Sequence, residues 1–396
     1  MDRFNFSFLF DTEIVFGPGA ENEAGALVKK YSGSKAMIVY GSGSIKASGL
    51  YGRIADSLRA AGVGFTDFGG VQPNPRRTFA EEGTRRALEE GVDFLLAVGG
   101  GSSIDTAKAI AIGAANGGDF WQFFLGKTPE AALPVGTVHT IAASGSETSR
   151  SCVLVDDMDT GQKKGLWSRF RPVFAAMDPE LTYTLPQYQT AAGCVDAFSH
   201  TFMRYFSNSP CELACGFGEA TMRAVVRYAP IAVSEPENYE ARAEIMLAAS
   251  LSHCDLMMIG RCPGGAGGEH ALESQLSGYY DTTHGAGLAV MMPALLNYFI
   301  KHGSPGQVAL AARFAENVFS VDREAGDEPA RARLGAAAFT EWLAGLGMPT
   351  TLSALGVPEA EVRDAVERCM RARGSTIDGF LELDEAAVTE IYLSTI

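Results

Sequence analysis

Short apolar runs alternate with amphipathic stretches along the first half of the chain. The amphipathic stretches, such as residues 49–62 and 77–91, place apolar side chains at helical spacing. Strands that alternate with helices are typical of a mostly parallel sheet covered by helices. We therefore predict an α/β domain over residues 1–187. Its predicted strands are four apolar runs: residues 35–41, 93–101, 133–143 and 172–178.

The strand pattern ends near Pro186, and long helical patterns follow. They include residues 237–258, 285–303 and 383–396. A chain of 396 residues also exceeds the usual size of one domain. We therefore predict a second, all-α domain over residues 188–396.

Composition restricts the partners of the protein. The formal net charge of −15 argues against nucleic acid, because phosphate backbones are bound by clustered Lys and Arg. No apolar run approaches the length of a membrane span, and the N-terminal segment lacks the pattern of a signal peptide. The seven cysteines form no Cys-x-x-Cys pair, which favours free thiols in a reducing compartment. We expect a cytoplasmic protein without a nucleic-acid or membrane partner.

A glycine-rich turn follows the predicted strand over residues 93–101. Gly99, Gly100 and Gly101 precede a helical pattern, so backbone N–H groups at the start of that helix could bind a pyrophosphate. The turn is not a G-x-G-x-x-G sequence, and such turns also occur without ligands. Spacing alone therefore leaves phosphate binding and a plain turn both open.

Two further loops follow predicted strands. The loop over residues 39–49 contains Ser42, Ser44 and Lys46 but no acidic residue that could bind the ribose 2′-hydroxyl of NAD. This composition favours NADP over NAD, unless the segment is only a Gly/Ser turn. The loop over residues 140–151 is rich in hydroxyl side chains, a weak signal by itself.

Asp196 and His200 lie four residues apart in a helical stretch and therefore share one helix face. They could pair with each other or bind one metal ion. His270 and His284 would be about 21 Å apart in a continuous helix, but a break near Gly278 would allow their rings to meet. One carboxylate and three imidazoles would suit Fe²⁺ or Zn²⁺. Spacing does not decide between this site and ordinary structural histidines.

The order of motifs along nearly the whole chain resembles the iron-containing (group III) alcohol dehydrogenases. The resemblance is strongest to their butanol-dehydrogenase-like branch of NADPH-dependent aldehyde reductases. The matching segments are EIVFGPGA, GGVQPNP (69–75), AVGGGSSIDTAK (97–108), ASGSETS (143–149), DPELTYTLP (178–186), DAFSH (196–200) and HGAGLAVMMPALLNY (284–298).

The resemblance implies a Rossmann-like nucleotide-binding domain and a helical domain in a dehydroquinate-synthase-like architecture, with the active site in the cleft between them. It implies a homodimer, Fe²⁺ (with Zn²⁺ as the other candidate) and NADP(H) as cofactor. The implied metal ligands, which are also the catalytic residues, are Asp196, His200, His270 and His284. The implied cofactor-binding residues are Gly41, Ser42, Gly43, Ser44, Asn74, Gly99, Gly100, Gly101, Ser102, Asp105, Thr140, Ser144, Lys163, Leu181 and Thr184. Lys163 is the loosest match, because Lys164 is adjacent.

Three positions depart from the family pattern. Ser274 stands where the family often has a third histidine, Met203 where a Glu is common, and Ser144 where a Thr is usual. The proton route is therefore open among water, Tyr279, Tyr280 and a ribose hydroxyl.

The expected function is a metal-dependent hydride transfer between NADP(H) and a small aldehyde or primary alcohol. The alternatives are a glycerol-dehydrogenase-like or dehydroquinate-synthase-like enzyme, or a nucleotide-binding relative that has lost catalysis.

Overall fold

The structure, a computed structural model, describes residues 5–261 and 268–396. The chain divides into two compact units. One unit comprises Leu9–Thr184, and the other comprises Leu185–Ile396 together with the residues before Leu9. The division after Thr184 lies close to the boundary predicted near Pro186.

The unit Leu9–Thr184 is built on a parallel sheet. The strands are β1 (Glu13–Phe16), β2 (Lys35–Tyr40), β3 (Gly64–Gly69), β4 (Phe94–Gly99), β5 (Val135–His139), β6 (Ser151–Val155), β7 (Lys163–Trp167) and β8 (Phe174–Met177). Six of them form one sheet in the order β1-β8-β5-β4-β2-β3, and every neighbouring pair is parallel. Strands β6 and β7 form a separate antiparallel pair. The predicted α/β class is confirmed.

Helices cover both faces of this sheet. They are α1 (Ala24–Lys30), α2 (Ser44–Ala47), α3 (Leu50–Ala60), α4 (Arg77–Glu89), α5 (Gly101–Ala115) and α6 (Trp121–Phe124). Ile38 of β2 packs in one apolar cluster with Ile54 of α3, whereas its neighbour Val39 packs in another with Ile110 of α5. Because both faces of β2 are buried, the strand reads as a continuous apolar run.

The unit that begins at Leu185 is helical. Its helices are α7 (Gln187–Tyr205), α8 (Glu212–Ser234), α9 (Tyr239–Ser252), α10 (Glu269–Tyr280), α11 (His284–His302), α12 (Pro305–Phe319), α13 (Glu328–Gly345), α14 (Leu352–Leu355), α15 (Val362–Arg373) and α16 (Glu385–Leu393). Phe198 and Phe202, one turn apart on α7, both pack against Phe339 of α13. No helix in the described parts of the chain is long and apolar enough to cross a membrane.

The predicted break between His270 and His284 is present, but it lies after Gly278. Helix α10 runs to Tyr280, where Asp281 takes a left-handed conformation (φ 51°), and α11 begins at His284. Asn and Asp adopt this conformation more readily than most side chains, so Asp281 ends the helix where Gly278 continues it.

Candidate functional site

Helix α7 presents Asp196 and His200 on one buried face. The His200 Nε2 atom lies 3.4 Å from the Asp196 Oδ1 atom. Burial, and then the neighbouring His253, lower the pKa of His200 well below its usual value. A neutral imidazole results, which is the form that binds metal ions.

Helices α10 and α11 bring two more imidazoles to the same place. The His284 Nε2 atom lies 3.7 Å from Asp196 Oδ1. Asp196, His270 and His284 each offer a ligand atom, and these three atoms lie within 4.8 Å of one another. His200 is outside that trio, but its ring centroid is 4.7 Å from that of His270. The structure therefore brings all four predicted metal ligands together.

Two buried glutamates, Glu269 and Glu273, contact the Nδ1 atoms of His270 and His284. His270 Nδ1 is 3.1 Å from Glu269 Oε1, and His284 Nδ1 contacts the Glu273 carboxylate. A carboxylate oxygen at such a position can accept a hydrogen bond from an Nδ1–H, which would leave Nε2 as the donor to a metal. Neither glutamate was among the residues predicted from the sequence, although their positions, one before and three after His270, could have suggested them.

A further histidine, His253, was also missed. Its ring stacks on that of His200, with centroids 4.2 Å apart. His253 follows α9 directly, and nothing in the spacing of the sequence relates it to His200. Only the fold brings the two rings together.

The donor set fits a divalent metal ion. His270 Nε2 is buried and has no hydrogen-bond partner among the described residues. Such an atom carries a desolvation cost unless something binds it. One carboxylate and three imidazoles are ligands that suit a borderline ion such as Fe²⁺ or Zn²⁺.

Most of the side chains considered for proton transfer already make contacts within the chain. The Ser274 hydroxyl donates to the backbone carbonyl of His270. The Tyr280 hydroxyl donates to Glu361 and accepts from Arg368, and burial raises the pKa of Tyr280. Tyr279 is exposed, with the Arg368 guanidinium 3.8 Å from its ring centroid. Met203 is half-buried on α7. The hydroxyl groups of Ser274 and Tyr280 are therefore already hydrogen-bonded within the chain.

The predicted cofactor loops lie at one edge of the parallel sheet. Residues 41–44 follow β2, and Thr140 follows β5. Gly99 ends β4, and residues 100–102 follow it. These three strands are adjacent in the sheet. The chain passes from β2 outward to β3 and then returns to β4 on the other side of β2. Ligands of open parallel sheets bind at such a reversal, at the carboxyl ends of the strands.

Close packing joins two of these loops. A Cβ atom on Gly101 would lie 2.6 Å from Ser144 Oγ, and one on Gly100 would lie 3.0 Å from the Ile141 side chain. Gly99 has a φ of 155°, which few other residues adopt. Glycine at these positions therefore lets the turn before α5 and the loop after β5 approach closely.

The other predicted cofactor residues occupy varied positions. Asn74 has a positive φ of 53° in the loop after β3, and Lys163 begins β7. Leu181 lies in a 3₁₀ turn, and Thr184 is exposed just after it. Their cofactor contacts stay predictions.

Asp105 accepts hydrogen bonds from the chain at both carboxylate oxygens. Ser146 Oγ lies 2.5 Å from Oδ1, and the Val153 amide lies 2.8 Å from Oδ2. These bonds fasten α5 to the loop after β5 and to β6. A contact between Asp105 and a cofactor stays a prediction.

Lys46 has an acidic neighbour that the sequence analysis did not identify. Its Nζ atom lies 3.6 Å from Asp67 Oδ2 on β3. The same atom lies 5.2 Å from the centroid of the Tyr40 ring and 5.0 Å from that of the Tyr51 ring. Contacts with Tyr40 and Asp67 raise the pKa of Lys46, so it is charged at neutral pH. Asp67 also accepts a hydrogen bond from the Tyr51 hydroxyl.

Comparison with known proteins covers both units. The sequence model of the iron-containing alcohol dehydrogenases matches residues 11–179, and that of the C-terminal part of the same family matches residues 190–396. NADH-dependent butanol dehydrogenase A of Clostridium acetobutylicum is 35% identical over 98% of both chains. The NADPH-dependent aldehyde reductase YqhD of Escherichia coli is 34% identical over 90% of this chain and 91% of its own. The crystal structure of NADH-dependent butanol dehydrogenase A from Thermotoga maritima superposes with a TM-score of 0.92 at 35% identity, covering 100% of this chain and 99% of its own.

Proposed function

The chain belongs to the iron-containing alcohol dehydrogenase family, and we propose that it transfers a hydride between NADP(H) and small aldehydes or primary alcohols at a metal centre. The observation that carries this proposal is the meeting of Asp196, His270 and His284 within 4.8 Å, with His200 beside them. We propose these four residues as the metal ligands. We propose Fe²⁺ as the ion, and Zn²⁺ as the other ion that the donors would accept.

A metal held by these residues would supply Lewis-acid chemistry, which stabilises negative charge on the substrate's carbonyl oxygen. The side chains of the four proposed ligands would direct their ligand atoms toward a single ion. Asp196 contributes a carboxylate oxygen 3.4 Å from His200 Nε2 and 3.7 Å from His284 Nε2. Glu269 and Glu273 contact the Nδ1 atoms of His270 and His284. Since the ligands come from three separate helices, packing of α7, α10 and α11 fixes the site before an ion binds.

The nicotinamide cofactor would supply the hydride. The residues proposed to hold it are those of the three loops after β2, β4 and β5. The turn Gly99–Gly101 offers backbone N–H groups at the start of α5, where the helix dipole favours a pyrophosphate. Ser144 lies against that turn and adds a hydroxyl.

We propose NADP(H) as the preferred cofactor because Lys46 offers a positive charge at the end of β2. The relatives do not indicate which of the two cofactors this chain prefers, since they include NADH-dependent and NADPH-dependent enzymes. Asp67 competes for the same ammonium group, 3.6 Å away. The preference for a 2′-phosphate is therefore expected to be moderate.

Lys46→Gln is expected to lower kcat/KM for NADPH by about tenfold and to leave the value for NADH nearly unchanged. A hydrogen bond to a charged group contributes about 1.5–3 kcal/mol, and the exposed, shared ammonium of Lys46 places the effect at the lower end. Asp67→Asn is expected to act oppositely, since it releases Lys46 for the phosphate. Steady-state kinetics with both cofactors measures this, with Lys30→Gln as an exposed control. A wild-type protein that uses NADH better than NADPH would overturn the proposed preference.

The reaction is tested by following the loss of NADPH absorbance with butanal, beside assays of glycerol oxidation and of dehydroquinate formation. We expect turnover with butanal and its reversal with butanol. Turnover in either of the other assays without aldehyde reduction would refute the proposed substrate class.

We also propose that the protein is a homodimer and that it is located in the cytoplasm. The cysteines within the described residues are buried and free, which suits a reducing compartment. Light scattering of the purified protein tests the dimer, and cell fractionation tests the location.

A further inference from the structure

The first turn of α10 contains an acidic residue in an unusual environment. Glu269 is fully buried directly before the proposed ligand His270. Its Oε1 atom lies 3.1 Å from His270 Nδ1, and its Oε2 atom has no hydrogen-bond partner among the described residues. Burial of a half-satisfied carboxylate is costly, so its position calls for a compensating role.

Two features of the surroundings suit a carboxylate at this buried position. Glu269 lies in the first turn of a helix, where the positive end of the helix dipole lies. Its Oε1 atom is at hydrogen-bond distance from His270 Nδ1, where a carboxylate oxygen can accept from an Nδ1–H.

We propose that Glu269 is a positioning residue for the metal site: its hydrogen bond fixes the ring of His270, so that Nε2 faces Asp196 and His284. This inference rests on the proposed metal centre and assigns a role to a side chain outside its ligand set. With Nδ1 protonated, Nε2 carries the lone pair, and Nε2 is the buried nitrogen that lacks a partner in the described chain. Carboxylates that hold metal-binding imidazoles in this way typically improve metal affinity by about 10- to 100-fold.

Two substitutions of similar size separate the hydrogen bond from packing. Glu269→Gln retains an oxygen that accepts from Nδ1, whereas Glu269→Leu fills the space without an acceptor. Neither leaves an unpaired buried charge at position 269, so both are expected to fold. Glu21→Gln is the matched control, because Glu21 is also buried in a first turn, with Oε1 2.8 Å from Arg53 and Oε2 without a partner in the described chain.

The measurement is Co²⁺ binding to the metal-free full-length chain, read by the visible spectrum of the ion and by competition with a chelator. Glu269→Leu is expected to weaken binding by about 10- to 100-fold and to change the shape of the cobalt bands. Glu269→Gln is expected to keep the wild-type spectrum with affinity within about tenfold, and Glu21→Gln to match the wild type.

Wild-type affinity and spectrum in Glu269→Leu would overturn the inference, as would equal weakening in the Leu and Gln variants, which would assign the effect to charge alone. If the unmodified chain fails to bind Co²⁺, the proposed metal centre itself is wrong and this inference falls with it. Because the wild type is measured in the same titration, the two failures are distinguishable.

Discussion

His270→Ala is expected to lower kcat/KM for aldehyde reduction by about 10³-fold. His270 is one of the three residues whose ligand atoms lie within 4.8 Å of one another, and its Nε2 atom is already desolvated. Loss of this ligand removes metal binding at the proposed site. Lewis-acid stabilisation is worth several kcal/mol, and about 4 kcal/mol corresponds to that factor in rate.

The His270→Ala measurement combines aldehyde-dependent NADPH oxidation with metal analysis of the purified protein. His302→Ala is the control, because His302 lies at the exposed end of α11 and pairs with Glu390. We expect the control to retain both metal and activity. A His270→Ala protein that retains full activity would show that His270 is not a ligand of the working metal.

Gly285→Ala is expected to destabilise the protein by about 3 kcal/mol and to weaken metal binding. Gly285 follows His284 at the start of α11, and its position faces the backbone carbonyl of Ala192 on α7. An added Cβ would lie well inside van der Waals contact with that carbonyl oxygen. Backbone cannot rotate away as a side chain can, so the two helices must separate. Overpacking of this kind typically costs about 1–3 kcal/mol, and the rigid neighbour favours the upper end.

The same separation should displace His284 from Asp196, since these two residues lie on the two helices that Gly285 brings together. Urea unfolding and metal titration measure the two effects. Gly216→Ala is the matched control: Gly216 lies within α8, and a Cβ there would have no neighbour within 4 Å. It should be neutral or stabilising by up to about 1 kcal/mol. Equal stability of the two variants would contradict the proposed close approach.

The fold could be predicted where burial is strong on both faces of an element. Strand β2 is apolar and buried from Ala36 to Tyr40, so it was predicted to within one residue of its observed end. Strands β1, β3, β6 and β7 were missed. Two of them, β3 (GFTDFG) and β7 (KKGLW), contain glycine and charged residues, which strands disfavour. Their pairing partners supply the stability that their own composition does not indicate.

Only the parts of the site that short-range spacing and the order of motifs indicate could be predicted from the sequence. Asp196 and His200 were found because they share a helix face, and His284 because a helix begins there. His253 carries no such signal, since its neighbour in space, His200, is brought to it by tertiary packing. The acidic neighbour of Lys46 was missed for the same reason: Asp67 lies on a different strand.

A metal titration tests whether turnover depends on the ion held by Asp196, His200, His270 and His284. The protein is stripped with a chelator, and Fe²⁺ is returned in steps under anaerobic conditions while NADPH oxidation with butanal is followed. We expect negligible turnover of the stripped protein and an activity that rises to a plateau at one ion per chain. Turnover of the metal-free protein at the rate of the loaded protein would contradict it.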